Sequence, residues 1–501
     1  MLSDCRSAAL VTCDGVIDWW PSPRFDSASA FSALLDEDAG HWSVQPAGRF
    51  ERGEWRYEPG TLVAQTTLIA ERGTLRLTDA LALQPGARGH AIGRESLHRV
   101  LGTFGELPIP LDAHAALEDT ARAWRSWSDE HQGYDGLHAD AVGLAGRVLQ
   151  GLTYQPTGGV VAAATTSLPE VPGGEDNFDY RFVWLRDAAM IAQALSSSAC
   201  SDEALRYFTW MTRAGVTCRQ EEQIQIVFGV EAERDLSEHR LEHLAGHRGA
   251  RPVRIGNAAW RQKQLDVLGH VLDCAWILRE ELDTPDAFTA GFLWQLADRA
   301  ARQWREPDSS IWEGREGERH YVVSKLYCWV ALDRAVRLAE RWGADAKRWA
   351  ATRDEIRAAI LHEAWHPARQ AFMGAFGSDH LDVSVLLMPL VGFLDAGDRR
   401  MDKTVRLLED ELGDDGLLRR WSGAEDGAFL LASFWLAECH ARAGRIERAH
   451  HGFERAAGAA NHLGLLAEEV DAATGAPLGN VPQAISHVGL INAASALSVS
   501  R

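Results

Sequence analysis

From about residue 137 nearly to its end, the chain repeats one pattern: apolar residues return at three- and four-residue spacing, as in helices that bury one face. The runs fall near 139–153, 184–198, 201–214, 258–282, 285–305, 320–342, 344–363, 379–394, 398–412, 425–443, 445–460 and 482–499. Twelve such runs make six pairs, and twelve antiparallel helices can close as an inner ring of six wrapped by an outer six, an (α/α)6 barrel. Runs such as Ala428 to Leu436 are apolar almost all round, as an inner ring requires. Short and long polar connections alternate. The long ones, 154–183, 215–257, 306–319, 364–378 and 461–481, are expected to gather at one end, where loops on a rigid scaffold carry function.

Residues 7 to about 85 read as β instead. Ala8–Thr12 and Val16–Trp20 flank Cys13-Asp14-Gly15, and Thr61–Ile69 and Thr74–Leu83 flank Glu71-Arg72-Gly73, both hairpin signals. Residues 84–114, with recurring Gly and Pro, read as linker or weak strand, and Ala115–Ser128 as a polar, Ala-rich bridging helix. The expected fold is mainly α. A small antiparallel β-sandwich domain (1–114) leads through a bridging helix and linker (115–136) into an (α/α)6 barrel (137–501).

Charge narrows the partners. Against 71 acidic residues stand 51 basic ones, a net −20, which argues against nucleic acid or an anionic membrane surface and leaves a neutral small molecule or oligosaccharide. Seven cysteines (5, 13, 200, 218, 274, 328, 439) are scattered without a Cys-x-x-Cys pair, which fits buried thiols in a reducing compartment rather than a zinc site or disulfide framework. The first residues carry charges where a signal peptide needs an apolar run, and no apolar segment approaches the ~18 residues of a membrane helix. A cytoplasmic protein is expected.

Three stretches concentrate chemistry. Asn177 to Asp187 packs four aromatics, two Arg and two Asp into eleven residues, suited to stacking on sugar rings and fixing hydroxyls by charge-assisted hydrogen bonds. The plainer alternative is a helix start with a surface salt-bridge cluster. Trp304 to His320 places Glu313 directly after Trp312, and a carboxyl wedged against that ring would be desolvated and favour its protonated form, as a general acid needs. Leu465 to Asp471 carries the pair Glu468-Glu469. Two carboxylates on separate loops suffice for acid/base glycoside hydrolysis, although most loop carboxylates are simply solvated.

These stretches, with Gly249 to Ala259 followed by Gln262 and Gln264-Leu265-Asp266, then Ile311-Trp312-Glu313, Lys325 to Asp333, and Glu468 to Asn492, resemble in order the motifs of glycoside hydrolase family 15, which includes glucoamylases, glucodextranases and bacterial trehalases. Asp4 to Leu10 and Pro23 to Ser27 resemble its bacterial branch, so the likeness spans almost the whole chain. The resemblance implies an N-terminal β-sandwich, an (α/α)6 barrel and inverting hydrolysis of a terminal α-linked glucose, from trehalose or a short α-glucan, without a cofactor or metal. It implies Glu313 as general acid and Glu468 as general base, with Tyr180 beside the base. It also implies Arg186 and Asp187 gripping glucose hydroxyls and Trp184 as an aromatic wall, next to Trp312. Arg420, before Trp421 on a loop that looks shortened, matches a further substrate-binding arginine, and Glu469 reads as a support of its neighbour at the substrate site.

Other residues read as structural. His487 heads an apolar helix, Asp379 and Asp382 start one rather than joining His380 as metal ligands, and Met373 to Gly377 lacks the Lys of a phosphate loop. The chain departs from the family pattern in an abbreviated sandwich, in Phe178 where Trp is usual, and in Ala467 where a hydroxyl residue is common. These departures keep two alternatives open: non-hydrolytic acid/base work, such as cyclisation or isomerisation of another metabolite, and carbohydrate binding without turnover. Apolar surface left by a shortened sandwich would suit a homodimer.

Overall fold

The structure is a computed structural model that describes residues 1–85, 91–103, 111–198, 201–218, 221–314 and 317–499. Its N-terminal part holds two antiparallel sheets. In the first, β1 (Leu2–Ser3), β2 (Ala8–Val11), β3 (Val16–Pro21) and β4 (Ser29–Phe31) follow in order, with β5 (Trp42–Ser43) also on β3. In the second, β6 (Phe50–Tyr57), β7 (Ala64–Ala70), β8 (Gly73–Pro85) and β9 (Ala91–Thr103) form a meander. Leu2, Ala9, Val11 and Ile17 from one sheet pack with Ala64 and Leu81 from the other, so the two faces share a core. Both expected hairpins are present.

Of the two readings of 84–114, linker or weak strand, the strand holds over Ala91–Thr103 and the linker does not. β9 pairs with β8 from Leu75↔Thr103 to Pro85↔Ala91, a thirteen-residue strand. Cross-strand pairing over that length outweighs the local Gly content that suggested irregular chain. The linker positions 86–90 and 104–110 lie outside the described residues. Helix α1 (Leu111–His131) packs on β8 and β9, and its Trp127 indole donates to Glu203 at 3.3 Å.

Twelve further helices among the described residues build the barrel: α2 (Ala139–Gly151), α3 (Ala188–Ser198), α4 (Ser201–Val216), α5 (Asp266–Ile277), α6 (Ala287–Gln303), α7 (Val322–Trp342), α8 (Lys347–Glu363), α9 (Leu387–Leu390), α10 (Arg399–Leu412), α11 (Leu430–Arg442), α12 (Ile446–Ala457) and α13 (Ala484–Val499). A single turn, Arg279–Leu282, trails α5. The inner ring runs α3, α5, α7, the turn Val383–Leu386 with α9, α11 and α13, each packed on the next and α13 closing on α3. Burial follows position. Inner α7 is buried at nearly every residue through Ala339, and α11 from Leu430 to Ala441, whereas outer α8 buries only Trp349, Ile356 and Ile360. This is the all-round apolar character that inner helices need.

Most helices are shorter than their apolar runs, two of them for a visible local reason. The run 379–394 yields only a 3-10 turn and four α residues, because Pro389 has no N–H to continue the ladder and Gly392 turns left-handed at φ 77°. The run 184–198 starts its helix at Ala188, since Val183–Trp184 pair as a strand with Val227–Phe228. Among the described residues no helix is long and apolar enough to cross a membrane.

Candidate active site

Loops at one end of the barrel enclose a cavity of about 790 Å³. Its wall includes Glu170 and Tyr180 from the 154–183 loop, Asn257, Glu313, Gly374 and Glu468, so each long connection reaches it. The 413–427 connection, not among those expected, adds Arg420, Trp421 and Asp426. The size and mixed polar and aromatic lining suit a small sugar.

Within Asn177 to Asp187 the two Arg/Asp pairs part company. Arg181 forks onto Asp179 at 2.8 and 2.7 Å, both essentially buried, and reaches the carbonyl of Ser27 at 2.8 Å. Asp179 also accepts the Gly256 amide at 3.2 Å. That pair ties the segment to its surroundings and does not line the cavity. Arg186 and Asp187 do, with Nε 3.5 Å from Oδ1, and burial pushes the Asp187 carboxyl up to about 6 against the pull of Arg186.

Glu313 is held from this side. Its Oε1 accepts the Trp184 indole at 2.6 Å and Arg186 Nη1 at 3.1 Å, while Arg186 also binds the Ile311 carbonyl at 2.7 Å. Its backbone is left-handed, φ 57°, a strained setting for a residue with a Cβ, pinned by Gln262 Nε2 donating to its carbonyl at 3.0 Å. The expected wedge against Trp312 is corrected. The Trp312 indole donates to Asp382 at 2.9 Å and its ring packs on Trp421 and Phe429, so it shapes the cavity wall while Trp184 and Arg186 attend the carboxyl.

In the same cavity, Glu468 ends a loop just before the strand Glu469–Val470 and is 4% exposed. Tyr180 donates toward its Oε1 at 3.1 Å, and the Tyr180 and Trp184 rings meet edge to face at 5.7 Å, linking the two carboxylate sites. Burial holds the Glu468 carboxyl well above the usual range; Glu170 adds to that and Arg420 opposes it.

Arg420 lies in the wall as expected, stacked on Trp421, with Nε 2.6 Å from Asp426, a contact to Glu170 and Nη2 3.0 Å from Glu469. Glu469 is corrected as a substrate-site residue. It is fully buried behind the wall, where it accepts the Gly427 amide at 2.9 Å and braces Arg420. Successive residues at a strand start point to opposite sides, which sends Glu468 inward and Glu469 away. Glu170, Asp426 and Glu469 present oxygens within 4.8 Å of one another, a spacing a cation could accept, and the Arg420 guanidinium already contacts all three.

Sequence reasoning missed Glu170 and Asp426, which sit in Leu-Pro-Glu-Val-Pro and Ala-Glu-Asp-Gly with no periodic or motif signal. It also left His270 unremarked. That ring, stacked on Tyr327, lines the cavity floor 3.7 Å from Asp266, whose carboxyl burial raises to about 7. His487 is structural: it accepts the Leu466 amide at 3.3 Å and meets the Gln483 carbonyl at 2.8 Å, and burial lowers it to about 4. Asp382 caps the turn Val383–Leu386 through the Ser384 amide at 2.8 Å.

Comparison with known proteins agrees with this architecture. The family described as Glycosyl hydrolases family 15 matches residues 144–495, and a trehalase-like N-terminal family matches residues 1–106. A trehalase of Mycolicibacterium smegmatis is 33% identical, covering 98% of this chain and 89% of its own, and a trehalase of Thermoplasma acidophilum is 35% identical, covering 97% and 98%. A bacterial glucoamylase solved with acarbose shares the fold at TM-score 0.62 and 13% identity, over 87% of this chain and 73% of its own. With a family match across most of its length and relatives aligned end to end, the chain belongs to glycosyl hydrolase family 15 and is a glycoside hydrolase.

Proposed function

We propose that this chain is an inverting α-glucosidase whose substrate is trehalose. The observation that carries the mechanism is the pair of carboxylates lining one cavity, each held by its own partners, Glu313 by Trp184 and Arg186, Glu468 by Tyr180. The substrate follows the matched trehalases, whose likeness extends through both parts of the chain. Glucose enters with its hydroxyls toward Arg186 and Asp187 and a face on Trp184. Glu313 Oε1 already receives two donors, so the proton is assigned to Oε2, from which it passes to the glycosidic oxygen as the C–O bond breaks. Glu468 takes a proton from water, whose oxygen attacks the anomeric carbon from the opposite face. That water needs the carboxyls ~6.5 to 9.5 Å apart. The same proposal assigns 1–114 to the sandwich, 115–136 to the bridge and 137–501 to the catalytic barrel, in a cytoplasmic enzyme. Free thiols at Cys5, Cys13, Cys218, Cys274, Cys328 and Cys439 support that setting.

The test is glucose release from trehalose, maltose, isomaltose and maltoheptaose by wild type, Glu313→Gln and Glu468→Gln. Wild type is expected to cleave trehalose best and to yield one β-glucose per turnover, and each variant to lose at least ~100-fold. A folded wild type that cleaves none of the four ends the hydrolytic reading. The base works only when ionised, and burial raises its pKa, so kcat/KM is expected to fall as pH drops through a limb well above the ordinary glutamate range.

A further inference from the structure

Residues 262–265 run beside the loop that carries Glu313 and are laced to it. The Ser309 amide donates to the Lys263 carbonyl at 3.0 Å, the Lys263 ammonium lies 2.8 Å from Glu306 Oε2, and the Leu265 amide donates to Asp308 Oδ2 at 2.9 Å. Gln262, in the cavity wall, makes the contact nearest the carboxyl: its Nε2 donates to the Glu313 carbonyl at 3.0 Å. Its amide has one workable orientation. A carbonyl can only accept, so Gln262 must turn its NH2 toward Glu313 and its oxygen toward Gln264, whose Nε2 donates to that oxygen at 3.0 Å. Gln264 is 4% exposed, so packing holds the second amide in place.

The tie matters because the turn is strained. Ser310 and Glu313 both have left-handed backbones, φ 64° and 57°, at ~1 to 2 kcal/mol each for residues with a Cβ. The hydrogen bonds that close the turn on itself are long, the Glu313 amide to the Ser310 carbonyl at 3.3 Å and the Gly314 amide to the Ser309 carbonyl at 3.2 Å. Shorter ties come from outside the turn, from Arg186 to the Ile311 carbonyl at 2.7 Å and from Gln262 to the Glu313 carbonyl. Without Gln262 the peptide that follows Glu313 is free to rotate. A return of φ to the ordinary negative range would then swing the Cα–Cβ bond and carry the carboxyl with it. We propose that Gln262 is a positioning residue for the acid: by fixing the Glu313 carbonyl it holds the strained backbone that sets the carboxyl against the glycosidic oxygen. The inference rests on the reading of Glu313 as general acid.

A misplaced acid fails at one step, protonation of the leaving oxygen. Trehalose needs that proton, whereas α-glucosyl fluoride loses its leaving group as an anion and does not. Gln262→Met keeps the length of the side chain and removes the donor. It is expected to lower kcat on trehalose by ~100-fold with KM within about threefold of wild type, and kcat on α-glucosyl fluoride by no more than about threefold. Gln262→Glu has nearly the same shape but no hydrogen to donate when ionised; it should show the same split, and it decides the matter if Gln262→Met does not fold. Equal losses on the two substrates would mean that the whole site has loosened, and a raised KM for trehalose with kcat unchanged would mean that Gln262 binds the leaving glucose. Either result overturns the proposal, as does activity equal to wild type on both substrates. If wild type cleaves maltose in place of trehalose, maltose is the substrate compared with the fluoride. Should wild type cleave neither a disaccharide nor the fluoride, the hydrolytic reading fails and this inference falls with it; should wild type cleave both and the variants match it, this inference alone falls.

Discussion

Gly479 sits where a side chain would strike Glu468, the proposed base. A Cβ there would stand 2.8 Å from Glu468 Oε2 and 2.9 Å from its Cβ, on a backbone at φ 73°. Gly475, in the same loop, has φ 72° and nothing within 4 Å of the Cβ it would carry. The two glycines separate backbone strain from displacement of the base. Both Gly→Ala changes should cost ~1 kcal/mol of stability for a non-glycine residue in the left-handed region. Only Gly479→Ala should also lower kcat, by ~100-fold, because a carboxylate moved by an ångström no longer aligns its water. Melting curves and kcat for the two variants check this, and equal losses of activity would refute it. At this scale the sequence was partly readable. An Arg-Asp or Asp-x-Arg pair looks the same on paper whether it lines the cavity, like Arg186 with Asp187, or ties down the chain, like Asp179 with Arg181. Which pair faces the cavity depends on Val183–Trp184 pairing with a strand more than forty residues away, and no local pattern encodes that. Glu170 was hidden for the same reason: its partners Tyr180 and Arg420 are brought to it by the barrel.

At the scale of elements, helix count and type were legible because packing on an inner ring leaves a strong periodic or all-apolar imprint, and element ends were not, because caps, Pro389 and short strands decide them locally. What the imprint does not reveal is how closely two helices approach. Gly269 on α5 faces the backbone of α7, and a Cβ there would lie 2.1 Å from the Tyr327 carbonyl oxygen. The same crossing stacks His270 on Tyr327 at 3.7 Å, at the cavity floor beside Asp266. Gly269→Ala must push α5 and α7 apart, with an expected cost of ~1 to 3 kcal/mol, read as a lower denaturant midpoint. Because the floor moves with the helices, KM for the sugar should rise as well. An unchanged midpoint would show that the two helices slide apart freely. Asp266 offers a pH readout on the same helix. Its pKa is raised from 3.8 to about 7, so the stability its burial allows is present below pH 3.8 and is lost as pH rises through 7.

Taken whole, the chain does not divide cleanly between its sheets and its barrel. Met1, Cys5, Ala8, Phe25, Leu62 and Leu83 belong to one apolar core with residues of nearly every barrel helix. Trp19 donates its indole to the Ala164 carbonyl at 2.8 Å, and Arg181 reaches Ser27, so the N-terminal part grips the loop that carries Glu170 and Tyr180. Arg24 adds an ion pair across the same seam, to Glu233 at 2.5 Å. The sequence marked two structural classes meeting near residue 137 but gave no sign of this shared core, since its contacts join residues more than a hundred positions apart. Two parts welded by a common core should melt together. Calorimetry is expected to show one cooperative transition rather than two, and Phe25→Ala, which empties a fully buried site, should lower the whole transition at a cost of ~3 to 5 kcal/mol. The same variant should lose activity at the temperature where its N-terminal part loosens, because that part holds the loop carrying Tyr180, which contacts Glu468. Two transitions, with Phe25→Ala moving only the first and activity following the second, would mean that the barrel keeps its active site without help from the sheets.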